Sequence, residues 1–152
     1  MSAKQRLAEL GIQLPEVASP AGAYIPARIS GNQLFTAGQL PFVDGQLLAT
    51  GKVGREVDAD QAKQLARQSA INALAAIDAA LGDLDRVTGV IKVVGFVAST
   101  EDFTGQPGVI NGASELLGEI FGDSGKHARS AVGVAVLPLN SPVEVEMIVE
   151  FR

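Results

Sequence analysis

The stretch Val87 to Ala98 is apolar on both sides of an extended chain. Val90, Val94 and Phe96 fall on one side and Ile91, Val93 and Val97 on the other, interrupted by Lys92. A strand buried on both faces needs cover above and below its sheet. In 152 residues there is material for one domain with one core, and the helical segments suffice for one side. The pattern therefore predicts helices on one face of a sheet and a second face that meets another subunit.

The remaining elements follow from caps, turns and periodicity. Asp58 reads as the N-cap of a helix running to about Leu81, with Gln61 in the capping-box position and Gly82 as the stop. Ala62, Leu65, Ala66, Ser69, Ala73, Ile77, Ala80 and Leu81 form its stripe of mostly small core residues. A second helix is predicted over Val109 to Phe121 after a Gly105–Gly108 loop, with Asn111 as its N-cap. Ser2 to Leu10 reads as a short helix stopped by Gly11. Tyr24 to Ile29 and Leu34 to Gln39 flank a Gly31-Asn32 hairpin turn, and Asp44-Gly45 marks a turn before Gln46 to Ala49. The order β-β-β-α-β-α-β-β plus a short N-terminal helix gives an α+β fold with a mixed sheet and two helices on one face. One domain spans 1–152, with 1–17 as an N-terminal extension that covers a sheet edge or a neighbour.

Two strands close the chain on either side of Pro138-Leu-Asn-Ser-Pro142. In the second, Val143, Val145, Met147, Val149 and Phe151 alternate with Glu144, Glu146, Ile148 and Glu150, which makes one face acidic. In the first, Arg129 shares a face with Ala131, Gly133 and Ala135, small neighbours that leave room beside the guanidinium. A guanidinium matches a carboxylate in bidentate fashion and stays charged at any working pH; an ordinary ion pair with a nearby glutamate is the competing expectation. If the two strands form a simple hairpin, Arg129 and Glu144 stand on the order of 20 Å apart at ~3.3 Å per residue. They could then share a pocket only across a subunit boundary.

Composition removes several function classes. The chain has no cysteine, so it has no disulfide, thiol nucleophile or Cys-ligated metal. With no secretory signal, a cytoplasmic location is the expectation. A net charge of −5 and 5% aromatic residues speak against a nucleic-acid surface, and the longest apolar run is too short to span a membrane. One histidine supports neither a metal cluster nor a Ser-His-Asp triad, and there is no phosphate-binding glycine loop.

Several motifs in register carry a resemblance. Pro20-x-x-x-Tyr24, Thr36-Ala-Gly38-Gln39-Leu-Pro41, Ile110-Asn111, Ala128-Arg129-Ser130, Leu137-Pro138 and Val143-Glu-Val-Glu146 together resemble the YjgF/RidA family, also known as L-PSP endoribonuclease, over residues 18–152. The resemblance implies a chorismate-mutase-like fold, a homotrimer with clefts between subunits, and hydrolysis of enamine and imine intermediates such as 2-aminoacrylate to 2-oxo acids and ammonia, without cofactor or metal. It implies Arg129 as the carboxylate anchor, Glu144 as the group that positions and deprotonates water, and Tyr24, Gly38, Gln39 and Asn111 as further cleft residues. Burial must raise the Glu144 pKa if it is to serve as a base.

The chain departs from the family pattern where His127 replaces a proline and Ala131 a cysteine. His127 sits in a Gly-Lys-His loop and is expected to be solvated. The alternative to catalysis is a regulatory or binding protein that holds a small carboxylate in the same cleft. Ribonuclease activity follows from the family's second label alone.

Overall fold

The computed structural model describes residues 1–20 and 22–152. Helix α1 (Ala3–Glu9) is opened by a capping box in which Ser2 Oγ accepts from the Gln5 amide while the Gln5 side chain accepts from the Ser2 amide. Strands β1 (Ala27–Ser30) and β2 (Gln33–Thr36) form the hairpin expected around Gly31. A separate two-stranded ribbon, β3 (Phe42–Val43) and β4 (Gln46–Leu47), turns at Asp44-Gly45. Then come α2 (Ala59–Leu81), β5 (Val87–Ala98), α3 (Gln106–Phe121), β6 (Ala128–Val134) and β7 (Val143–Phe151).

The main sheet has the order β1-β2-β7-β5-β6, with β5 and β6 parallel and the other pairs antiparallel. This corrects the hairpin expected for the last two strands. The β5–α3–β6 crossover lays β6 on one side of β5, and β7 takes the other. Its row of valines is fully buried there, Val143, Val145 and Val149 each at 0% exposure. β7 stands third of the five strands, between β2 and β5, and burying its valines there removes apolar surface from water at roughly 25 cal/mol per Å².

Helices α2 and α3 cover one face. Asp58 caps α2 by accepting from the Gln61 amide at 2.7 Å, and Gly82 ends it in the left-handed region. The predicted stripe is buried except for Ala80, which is exposed. Ala70, Leu74, Ala75 and Ala76 are buried as well, because α2 is packed by the sheet, α3 and the β3–β4 ribbon together. Gly112 of α3 rests directly on the Lys63 carbonyl of α2, an approach that a Cβ would block. Helix α1 packs against α3 and the turn at Leu84–Arg86, buries Ala3 and Leu7, and is tied down by Lys4–Asp83 at 3.0 Å.

Strand β5 has the predicted limits, but its faces do not simply alternate. Register shifts between Val87 and Gly89 and between Val90 and Lys92 put Val90 on the helix-covered side with Val93 and Val97. Phe35, Val94, Phe96, Val132 and Ile148 line the other face with Lys92, Glu144 and Glu146, partly or fully exposed. Nothing in the described residues covers that face. No helix is long and apolar enough to cross a membrane.

Candidate functional site

Helix α3 begins three residues earlier than predicted. Pro107 stands in its first turn, where proline is tolerated because its missing N–H would have had no partner. The Gly105–Gly108 segment is therefore the start of the helix rather than a loop, and Gly105 is the N-cap. Asn111 is consequently no cap. It lies inside α3, one turn before Ser114, and both project toward β6.

There they meet Arg129. Its Nη1 donates to Asn111 Oδ1 at 2.8 Å and to Ser114 Oγ at 3.1 Å, and its Nη2 donates to the Pro107 carbonyl at 3.3 Å. All three acceptors are neutral, and among the described residues no carboxylate pairs with this guanidinium. The expected alternative of an internal ion pair is not what holds it. A guanidinium has five N–H groups; Nε–H and the second Nη2–H remain, and together they form one bidentate edge. A cavity of about 360 Å³ opens beside it, lined by Ser114, Gly118, Gly125, Lys126, His127 and Arg129. Two of those residues are cations and none is an acid.

His127 is not solvated as expected. Its Nδ1 lies 2.6 Å from the Gly125 carbonyl and its Nε2 2.9 Å from Ser114 Oγ. The small face beyond Arg129 is also filled differently: Gly133 leaves space for the Gln106 amide and Ser99 hydroxyl, which a Cβ would meet at 2.7 and 2.8 Å. The room for a ligand lies toward α3 and His127, not along the strand.

Glu144 stands elsewhere. From Phe35 to Gln39 the chain spends four steps against three on β7, Ile148 to Val145, so a bulge rises over the sheet. Gln39 regains register by exchanging both backbone hydrogen bonds with Val145, at 2.8 and 3.0 Å. Gly38 then lies on Glu144: a Cβ there would stand 2.7 Å from the carboxyl carbon. Burial first, and the neighbouring Glu146 second, raise the Glu144 pKa above the ordinary carboxylate range. A cavity of about 380 Å³ includes Tyr24, Pro26, Gly38, Gln39, Leu139 and Glu144 in its wall. A larger one, about 560 Å³, lies beneath residues 15–19 and touches the first at Ala18, Ser19 and Phe42.

The predicted residues thus form two groups, Arg129 with Asn111 and Glu144 with Tyr24, Gly38 and Gln39. Arg129 pairs with Val93, which pairs with Met147, so the arginine is three positions along and two strands across from Glu144. That is roughly 14 Å at ~3.3 Å per residue and ~4.8 Å per strand, and the two side chains leave opposite faces. The separation is shorter than the hairpin implied, but within one protomer the groups remain apart. Ser114 was missed by sequence reasoning; its signal was its position three residues after Asn111 on one helix face.

Residues 4–151, which include all of α1 but Ala3, match the model of the family described as "YjgF/chorismate_mutase-like, putative endoribonuclease". The chain belongs to the YjgF/RidA family. Protein TCP17 of Trypanosoma cruzi is 46% identical over 147 residues, 96% of this chain and 92% of that protein. A 2-iminobutanoate/2-iminopropanoate deaminase of Dermatophagoides farinae is 32% identical over 139 residues, 91% and 93% of the two chains. Among solved structures, Atu1372 of Agrobacterium tumefaciens, of unknown function, superposes with a TM-score of 0.90 at 48% identity, covering 99% and 92%. Escherichia coli TdcF with bound serine superposes at 0.65 with 26% identity, covering 90% and 94%.

Proposed function

We propose that this protein is a hydrolytic deaminase of enamine and imine intermediates, acting in homotrimers whose sites join the Arg129 cavity of one protomer to the Glu144 cavity of the next. The observation that carries this reading is the guanidinium of Arg129, fixed by neutral acceptors and keeping both its charge and one bidentate edge for an anion. The opposite-face placement of Glu144 and the uncovered, partly apolar sheet face support assembly. The deaminase relative and the serine-bound TdcF structure support a small substrate with a carboxylate.

In the proposed reaction the substrate carboxylate lies on the Nε and Nη2 edge of Arg129. The enamine tautomerises to the imine, and water adds to the imine carbon while Glu144 takes its proton. The C=N electron pair moves to nitrogen. Glu144 then returns that proton to the nitrogen, giving a neutral carbinolamine; as the C–N bond breaks, the hydroxyl oxygen forms the C=O bond and its proton passes to the departing nitrogen, so that a 2-oxo acid and ammonia leave. Raised by burial and then by the neighbouring Glu146, Glu144 is a stronger base than an ordinary carboxylate. Gly38 keeps the space above it open, and Tyr24 and Gln39 wall the cavity.

A 2-aminoacrylate-generating enzyme coupled to pyruvate release tests the activity. Arg129→Ala and Glu144→Gln are each expected to lose the acceleration. Trimers refolded from an equal mixture of the two variants should recover about a quarter of wild-type activity, since one boundary in four pairs an intact arginine with an intact glutamate. No acceleration by wild type, alongside saturable 2-oxo acid binding, would establish instead a protein that holds such acids without turning them over.

A further inference from the structure

Helix α3 and the loop before β6 build a hydrogen-bond chain that the proposed reaction does not itself use. We infer that His127, acting through Ser114, is a positioning residue for Arg129, pinning one nitrogen of the guanidinium so that its free edge faces the cavity. The inference rests on the reading of Arg129 as a carboxylate anchor and names what holds that anchor in place.

Hydrogen-bond directions along the chain are set by its far end. The Gly125 carbonyl can only accept, so the His127 Nδ1 beside it at 2.6 Å carries the hydrogen. In the neutral ring Nε2 is then bare and accepts from Ser114 Oγ at 2.9 Å. Ser114 has one hydroxyl hydrogen; spending it on His127 turns its lone pairs toward Arg129 Nη1 at 3.1 Å. With Asn111 Oδ1 taking the other Nη1 hydrogen at 2.8 Å, that nitrogen is fully committed.

Without the ring, nothing orients the hydroxyl. A serine inside a helix then has a competing acceptor in the carbonyl four residues back, here that of Ile110. Arg129 would keep Asn111 and Pro107 but lose the bond that stops its plane from swinging. The residues around the ring are small, Gly118 and Gly125, and Lys126 is turned to Asp123 at 2.9 Å. No other side chain in the cavity wall can replace His127 as partner to Ser114.

Calorimetric titration of 2-oxobutanoate into the full-length protein tests this, with melting curves for each variant. Arg129→Ala should abolish measurable binding. Ser114→Ala and His127→Leu should each weaken it about three- to tenfold, and the double variant should be no weaker than the worse single one, because both break the same chain. His127→Gln, whose carbonyl oxygen reaches the place of Nε2, should recover most of the affinity. Ring-nitrogen NMR of the wild type should show the hydrogen on Nδ1. Wild-type affinity in Ser114→Ala and His127→Leu, with binding lost in Arg129→Ala, would overturn the positioning role and leave the anchor standing. Undiminished binding in Arg129→Ala would remove the anchor and the positioning role together. Should His127→Leu fail to fold, Ser114→Ala against His127→Gln makes the same comparison: equal, wild-type affinities overturn it.

Discussion

The Arg129 and Glu144 cavities lie on opposite faces of one sheet and are prepared for charge in opposite ways. Arg129 is held by side chains and a carbonyl of α3, each a neutral acceptor that fixes the plane without cancelling the charge. Glu144 is shaped by backbone: a bulge, a glycine over the carboxylate, and burial beside another acid. This cation tolerates close partners because two of its five N–H groups remain after they are satisfied. A carboxylate meant to take a proton has to be left under-solvated, since every donor given to it lowers its basicity.

This contrast ranks the effects of substitution. Glu144→Gln removes the proton acceptor and should lower kcat by about 10²- to 10⁴-fold, with KM little changed; steady-state rates of pyruvate release check it. Arg129→Ala removes the charge-assisted anchor on which binding depends and should reduce kcat/KM by more than about 100-fold, mostly through KM. A loss confined to kcat would mean that the arginine acts in the chemical step. Gly38→Ala pushes the end of the Glu144 side chain aside, and kcat should fall about tenfold while the melting temperature stays close to wild type. A large drop in Tm would show that Gly38 serves the fold more than the site.

The smallest effect concerns stability and pH. Glu144 and Glu146 both titrate above the ordinary carboxylate range because of burial. The folded state therefore keeps protons that the unfolded chain releases, and stability falls as pH rises from roughly 4.3 through the raised values. Glu144→Gln should melt higher than wild type at neutral pH, by under about 1 kcal/mol after solvent screening, and the gain should vanish near pH 4. Melting curves across that range decide it.

Where local chemistry decides structure, the elements were legible. Asp58 and Gly82 bracket α2 as their side chain and backbone preferences require, Gly31 places the first hairpin, and β5 has the limits its apolar run implies. The start of α3 was not legible, because Gly and Pro in a first turn look the same as Gly and Pro in a loop. With the helix expected to start later, Asn111 falls at its cap; in the structure it is an acceptor for Arg129. The role of His127 was not legible for a related reason: a histidine in a polar tripeptide carries no sign of a serine on a distant helix.

The amino-acid sequence by itself determined the two helices that cover the sheet, the strand faces of β7, the family and the residue types available for chemistry, because caps, periodicity and motif order act over a few neighbouring residues. Tertiary structure alone decided that β5 separates the last two strands, that Arg129 and Glu144 leave opposite faces, and that Ser114 and His127 reach the guanidinium. Strand order depends on which arrangement buries the most apolar surface across the whole chain, and no local pattern encodes that sum.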